Sequence, residues 1–162
     1  MRSIINSFLV FCSVLVFTGC SKEKNSLNTE NLIGIWYQED ILEEDNRISR
    51  LQYNFMEEGT FEMMRIEYEK SSGYILGYGF RSVGTYQLSD DKLTFYFQKY
   101  YVNDDPKDYT ELENLRLVYA GEGDLTIWLY RFEDEGEKLI LTNPGPCPPN
   151  AICVGSITLM RE

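Results

Sequence analysis

Beyond residue 31 the chain runs in short stretches of Tyr, Phe, Ile, Val, Leu and Thr in which apolar and polar positions change places every second residue. Clusters of Gly, Asp and Asn separate the stretches. A period of two marks a strand with one buried face, because successive side chains of extended backbone point to opposite sides. The pattern predicts strands at 34–38, 47–55, 60–69, 74–80, 84–88, 92–100, 113–119, 124–132, 138–141 and 154–161, with some neighbours free to merge. Alternation is clearest at Leu51/Tyr53/Phe55, Leu93/Phe95/Phe97, Leu125/Ile127/Leu129 and Ile157/Leu159, which form the expected core. The opposite phase carries Thr94/Tyr96/Gln98 and Thr126/Trp128/Tyr130, a polar and aromatic set, so either face is able to look outward.

Between the runs, Glu57-Glu58-Gly59, Ser89-Asp90-Asp91, Gly121-Glu122-Gly123 and Glu133-Asp134-Glu135-Gly136 supply the glycines and side-chain acceptors that hairpin turns need. Consecutive strands are therefore expected to be antiparallel neighbours. A sheet of that many strands has two exposed edges, and closing it on itself removes both. The predicted fold is all-β, an antiparallel up-and-down β-barrel of about eight to ten strands. A barrel of this size is either filled by its own side chains or keeps one small ligand. Tyr53, Phe55, Phe61, Phe95, Phe97, Ile127 and Leu129 are thus candidates both for the core and for a ligand lining.

The first twenty residues break the pattern. Arg2 is followed by an apolar run at 8–17, then by Thr18-Gly19-Cys20 and the polar string 21–25. This is the layout of a secretion signal, and its apolar run is too short for a span of about 20 residues. Phe17-Thr18-Gly19-Cys20 resembles the lipobox of bacterial lipoproteins, which implies cleavage before Cys20 and acylation of its sulfur and new amino group. The expected organisation is a signal peptide at 1–19, a lipidated Cys20 with a solvated linker to residue 30, and the barrel domain over 31–162. Several acyl chains on one cysteine hold a domain at a bilayer. The expected location is the cell envelope, anchored to the outer membrane on its periplasmic face.

Charge and composition remove several kinds of function. The net charge of −11 repels nucleic acid. Histidine is absent, which takes away the commonest general base and the commonest zinc ligand. Acidic residues at 43–45, 104–105 and 133–135 fall in turns and read as solvated charge, and no calcium loop, nucleophile elbow or phosphate-binding glycine loop occurs. No catalytic residue, metal or cofactor is expected, and the chain is not expected to be an enzyme.

The opening strand, Asn31-Leu32-Ile33-Gly34-Ile35-Trp36-Tyr37, resembles the Gly-x-Trp signature that begins the first strand of lipocalins. That resemblance implies a barrel closed at one end by Trp36, with the late basic residue Arg161 packed across the indole. Phe55-x-x-x-Gly59-Thr60-Phe61 and Gly84-Thr85-Tyr86 followed by Lys92-Leu93-Thr94 look like the lipocalin-like domains of small Gram-negative lipoproteins. The Thr-Asp-Tyr motif of the lipocalins proper is missing, which leaves the looser lipocalin-like grouping. Cys147 and Cys153 stand in a proline-rich loop before the last strand, and in an exported protein they are expected to form a disulfide.

These readings give a tethered barrel binding a small apolar molecule in the envelope. The alternative is an inhibitor or immunity factor that docks on a basic envelope protein through its acidic surface and the Cys147–Cys153 loop.

Overall fold

The computed structural model describes residues 29–104, 108–121, 123, 125–146 and 154–162. The signal segment, Cys20, most of the linker, and both Cys147 and Cys153 lie outside the described residues. A single helical turn, α1 (Thr29–Leu32), leads into β1 (Gly34–Leu42), β2 (Arg47–Phe55), β3 (Thr60–Glu69), β4 (Ile75–Ser89) and β5 (Lys92–Val102). Then come β6 (Arg116–Ala120), β7 (Leu125–Glu133), β8 (Lys138–Thr142) and β9 (Ser156–Arg161).

Each strand is antiparallel to its neighbours. The order β4-β3-β2-β1-β9-β8-β7-β5 returns to β4 through a β4–β5 ladder, so the sheet closes in a ring and the fold is a barrel-like meander. The runs at 74–80 and 84–88 merge into the single strand β4, which bends where its registers with β3 and β5 shift. Such bulges let a long strand curve around a small barrel.

One expected hairpin does not form. β5 pairs with β6 through Lys99–Val102 and with β7 through Lys92–Tyr96, both antiparallel, so β6 and β7 run in line and the expected reversal between them is absent. Four residues separate Ala120 from Leu125 where β5 has only Phe97 and Gln98. The surplus is absorbed because Gly121 keeps a ladder contact, its N–H donating to the Gln98 carbonyl at 3.0 Å, and because Gly123 has no Cβ to strike the Phe97 carbonyl. A turn composition here serves an interruption within one barrel position.

The interior follows from cross-strand pairs, which share a face. Phe55 lies opposite Phe61, Leu93 opposite Trp128, Tyr86 opposite Phe95 and Leu139 opposite Leu159. The rings pack directly, with Phe61 and Phe95 edge to face at 4.9 Å and Phe55 and Tyr86 at 5.2 Å between centroids.

On β7 the expected phase is inverted. Leu125 and Ile127 are exposed and Leu129 is half-buried, whereas Trp128, Tyr130 and Phe132 pack against the core. The segment Leu125–Phe132 is apolar on both faces, so its own alternation does not choose between them. Register chooses: Leu93 on one side, with Leu139 and Leu141 on the other, are fully buried and bring their β7 partners Trp128, Phe132 and Tyr130 inward. Ile127 and Leu129 are therefore neither core nor lining.

Candidate functional site

At one end the barrel is plugged. Trp36 is fully buried, and its Nε1–H donates to the Leu32 carbonyl at 2.7 Å. Arg161 sits opposite Trp36 in the β1–β9 register with its guanidinium carbon 5.3 Å from the centre of the indole. Its Nη2 donates to the Ile33 carbonyl at 3.0 Å and its Nη1 to the Asn31 carbonyl at 3.5 Å. Helix ends leave carbonyls without intrahelical donors. Here the indole and the guanidinium supply them while they close the sheet. Gly34 opens β1 at φ +127°, a conformation that a side chain would strain. Of the other candidate residues, Tyr53, Phe55, Phe61 and Phe95 are buried against one another and Phe97 packs partly buried beside them.

The opposite end differs. The inward phase that carries Phe55, Tyr53 and Leu51 on β2 continues to Ser49 and Arg47, and the phase of Phe61 and Met63 on β3 continues to Arg65 and Glu67. Leu51 faces Arg65 and Ser49 faces Glu67 across the ladder. The same interior column therefore passes from aromatic to charged, and the charged layer borders a cleft of about 340 Å³ whose rim adds Asp40, Leu42 and Asp108.

Glu67 is only 3% exposed. Ser49 Oγ–H donates to its Oε1 at 2.8 Å, and Arg65 Nε lies 3.4 Å from the same oxygen without the alignment of a hydrogen bond. Arg47 Nη1 is 3.8 Å from Oε2, an ion pair too long for a hydrogen bond. Two buried polar atoms of the cleft-lining side chains are thus left without a hydrogen-bond partner among the described residues: Glu67 Oε2, which needs a donor, and Arg65 Nε, which needs an acceptor. A buried group left in that state costs about 1–3 kcal/mol, so solvent or a ligand is expected to supply what is missing.

The two cations are held in place. Asp45 hydrogen-bonds Arg47 at 2.7 Å and, helped by the nearby Glu67 charge, holds its guanidinium above the ordinary arginine value despite partial desolvation. Tyr109 lies under the same guanidinium at 5.5 Å. Arg65 Nη2 donates to the Asp108 carbonyl at 3.3 Å, and its head lies where a Cβ on Gly79 would be, so a glycine on β4 makes room for it.

A strap crosses this end: Tyr78 and Thr110 exchange backbone hydrogen bonds at 2.7 and 3.0 Å. Its approach depends on Gly77, at φ +155°, where a Cβ would come within 2.7 Å of the Thr110 carbonyl.

The sequence reading missed this site, although its signal is present. Arg47-x-Ser49 and Arg65-x-Glu67 continue the core phase of their own strands, and charged residues on a core phase ask for an interior polar function. No protein-family model, curated protein or solved structure matches the chain.

Proposed function

We propose that the protein is a lipid-anchored binding module of the cell envelope: a lipocalin-like barrel tethered through Cys20 that captures a small polar molecule at its charged mouth. The reading is carried by one observation, the buried and unpartnered atoms Glu67 Oε2 and Arg65 Nε on two side chains that line an open cleft. An apolar ligand is less well supported, because the rings that would line its site pack against one another and fill the other end. Such a ligand in the charged cleft would also desolvate both unpartnered atoms without replacing their hydrogen bonds. The interior thus favours capture of a ligand with both donors and acceptors.

Native mass spectrometry of the gently purified protein tests this. A recurrent bound small molecule is expected in the natural chain and is expected to be lost in Glu67→Gln. A ligand-free spectrum, or a bound molecule retained by the variant, contradicts the reading.

A second reading, docking on a basic envelope protein, draws on the outer surface. Leu117 and Val118 of β6 and Leu125 of β7 are about half exposed on a chain of net charge −11, and exposed apolar groups within a polar surface mark interaction faces. It predicts salt-sensitive capture of a cationic protein from envelope extract.

A further inference from the structure

We infer that the ligand of the charged mouth is a neutral polyhydroxyl compound of monosaccharide size, held by a hydroxyl that bridges Glu67 and Arg65. This inference rests on the proposed binding role and names the chemistry of the ligand.

The two unpartnered atoms have opposite needs and belong to side chains in contact, with Arg65 Nε 3.4 Å from the other oxygen of Glu67. A hydroxyl group meets both needs at once, since its hydrogen is donated to Glu67 Oε2 while its oxygen accepts from Arg65 Nε. It does so without bringing charge. That matters because the cleft is lined by the two cationic residues Arg47 and Arg65 together with the acidic residues Asp40, Glu67 and Asp108. A cation would meet two arginines, an anion would meet three carboxylates, and each would have to be desolvated against like charge. Neutral hydroxyls are spared that opposition.

The rest of the cleft suits the same class. Ser49 spends its proton on Glu67 Oε1, which fixes the carboxylate and leaves Oε2 as the acceptor still lacking a donor. Leu42 gives the rim an apolar wall, as the C–H face of a sugar ring requires. The volume of about 340 Å³ lies at the small end of ligand sites and matches one ring with a few waters.

The test is a nuclear magnetic resonance titration of the purified, nitrogen-15-labelled chain, following the Arg65 Nε–H resonance. The probes are neutral methyl hexosides and N-acetylhexosamines at millimolar concentration, then glycine, alanine and betaine as zwitterions. At least one neutral glycoside is expected to shift the Arg65 resonance in a saturable way. Its affinity is expected to fall by about tenfold or more in Glu67→Gln and in Arg65→Lys, the second of which keeps the charge and removes the Nε–H donor.

A zwitterion shifting the resonance while every neutral glycoside leaves it unmoved would overturn the sugar assignment and leave the binding site standing. Failure of both classes to shift it would overturn the sugar assignment, while the co-purified ligand decides the binding role separately. Glycoside binding that both variants retain would place recognition elsewhere and also overturn the inference.

Discussion

Trp36 and Arg161 show how a few side chains at one end of the barrel serve local and long-range structure together. The indole N–H and the guanidinium satisfy carbonyls at Leu32, Ile33 and Asn31, and their stacking joins the first strand to the last. Tyr53, in the adjoining core, carries a testable pH dependence. Burial raises its phenol from the ordinary 10.0 to about 12. The folded state therefore holds this proton more tightly than the unfolded chain. Its contribution to stability, about 2–3 kcal/mol, is present below pH 10 and is lost as the pH climbs from about 10 to about 12. Tyr86 and Tyr130 shift in the same direction, again through burial first, so they add to the alkaline loss. Urea denaturation at a series of alkaline pH values is expected to show stability falling through this window, and Tyr53→Phe is expected to flatten the fall. An unchanged slope in the variant would contradict the assignment.

Among the elements, β2 and β3 were fully legible, with bounds 47–55 and 60–69 read from alternation alone and found unchanged. Their legibility comes from asymmetry: one phase holds Phe55, Tyr53 and Phe61 while the other holds Asn54, Gln52 and Glu62. In β7 both phases are apolar, and only its partners across the ladder decide which side is buried, information that a single run of residues does not contain. The glycines at 121 and 123 looked like a reversal because a turn and a bulge both call for residues without side chains. The charged mouth was half legible. Arg47, Ser49, Arg65 and Glu67 stand on the core phase in the sequence, but their convergence depends on the β2–β3 register. The strap was hidden altogether, since the Tyr78–Thr110 bridge is long-range and depends on a close approach at Gly77. Gly77→Ala adds a side chain at a strained φ and against a backbone carbonyl, and is expected to cost about 1–3 kcal/mol. Hydrogen exchange at the Tyr78 and Thr110 amides is expected to accelerate while the Phe55–Phe61 end of the barrel stays protected. Equal acceleration everywhere would mean that Gly77 supports the whole fold and not the strap.

At the scale of the molecule, the ring is unevenly closed. β1 and β2 pair over nine residues, whereas β1 and β9 pair only at Trp36–Arg161 and Tyr37–Met160. That short seam is clasped on the outside as well, where Arg50 bonds Glu39 and Glu162 and lies 4.2 Å over the Tyr37 ring. Division of the interior follows from the same geometry: aromatic side chains fill the end beside the seam, and the inward phases of β2 and β3 carry charge to the other. Everything proposed for the mouth depends on those two phases facing inward in the observed register. A slip of one residue between β2 and β3 would leave Ser49 and Glu67 on opposite faces of the sheet, because alternate side chains change faces. The most direct measurement is a carbon-13-edited nuclear Overhauser spectrum of the chain. Cross-peaks are expected between Ser49 and the Glu67 side chain and between Leu51 and Arg65, beside those joining Tyr53 to Phe95. Glu67 instead showing contacts to the outward residues Ile48 or Arg50, with none to Ser49, would contradict that register.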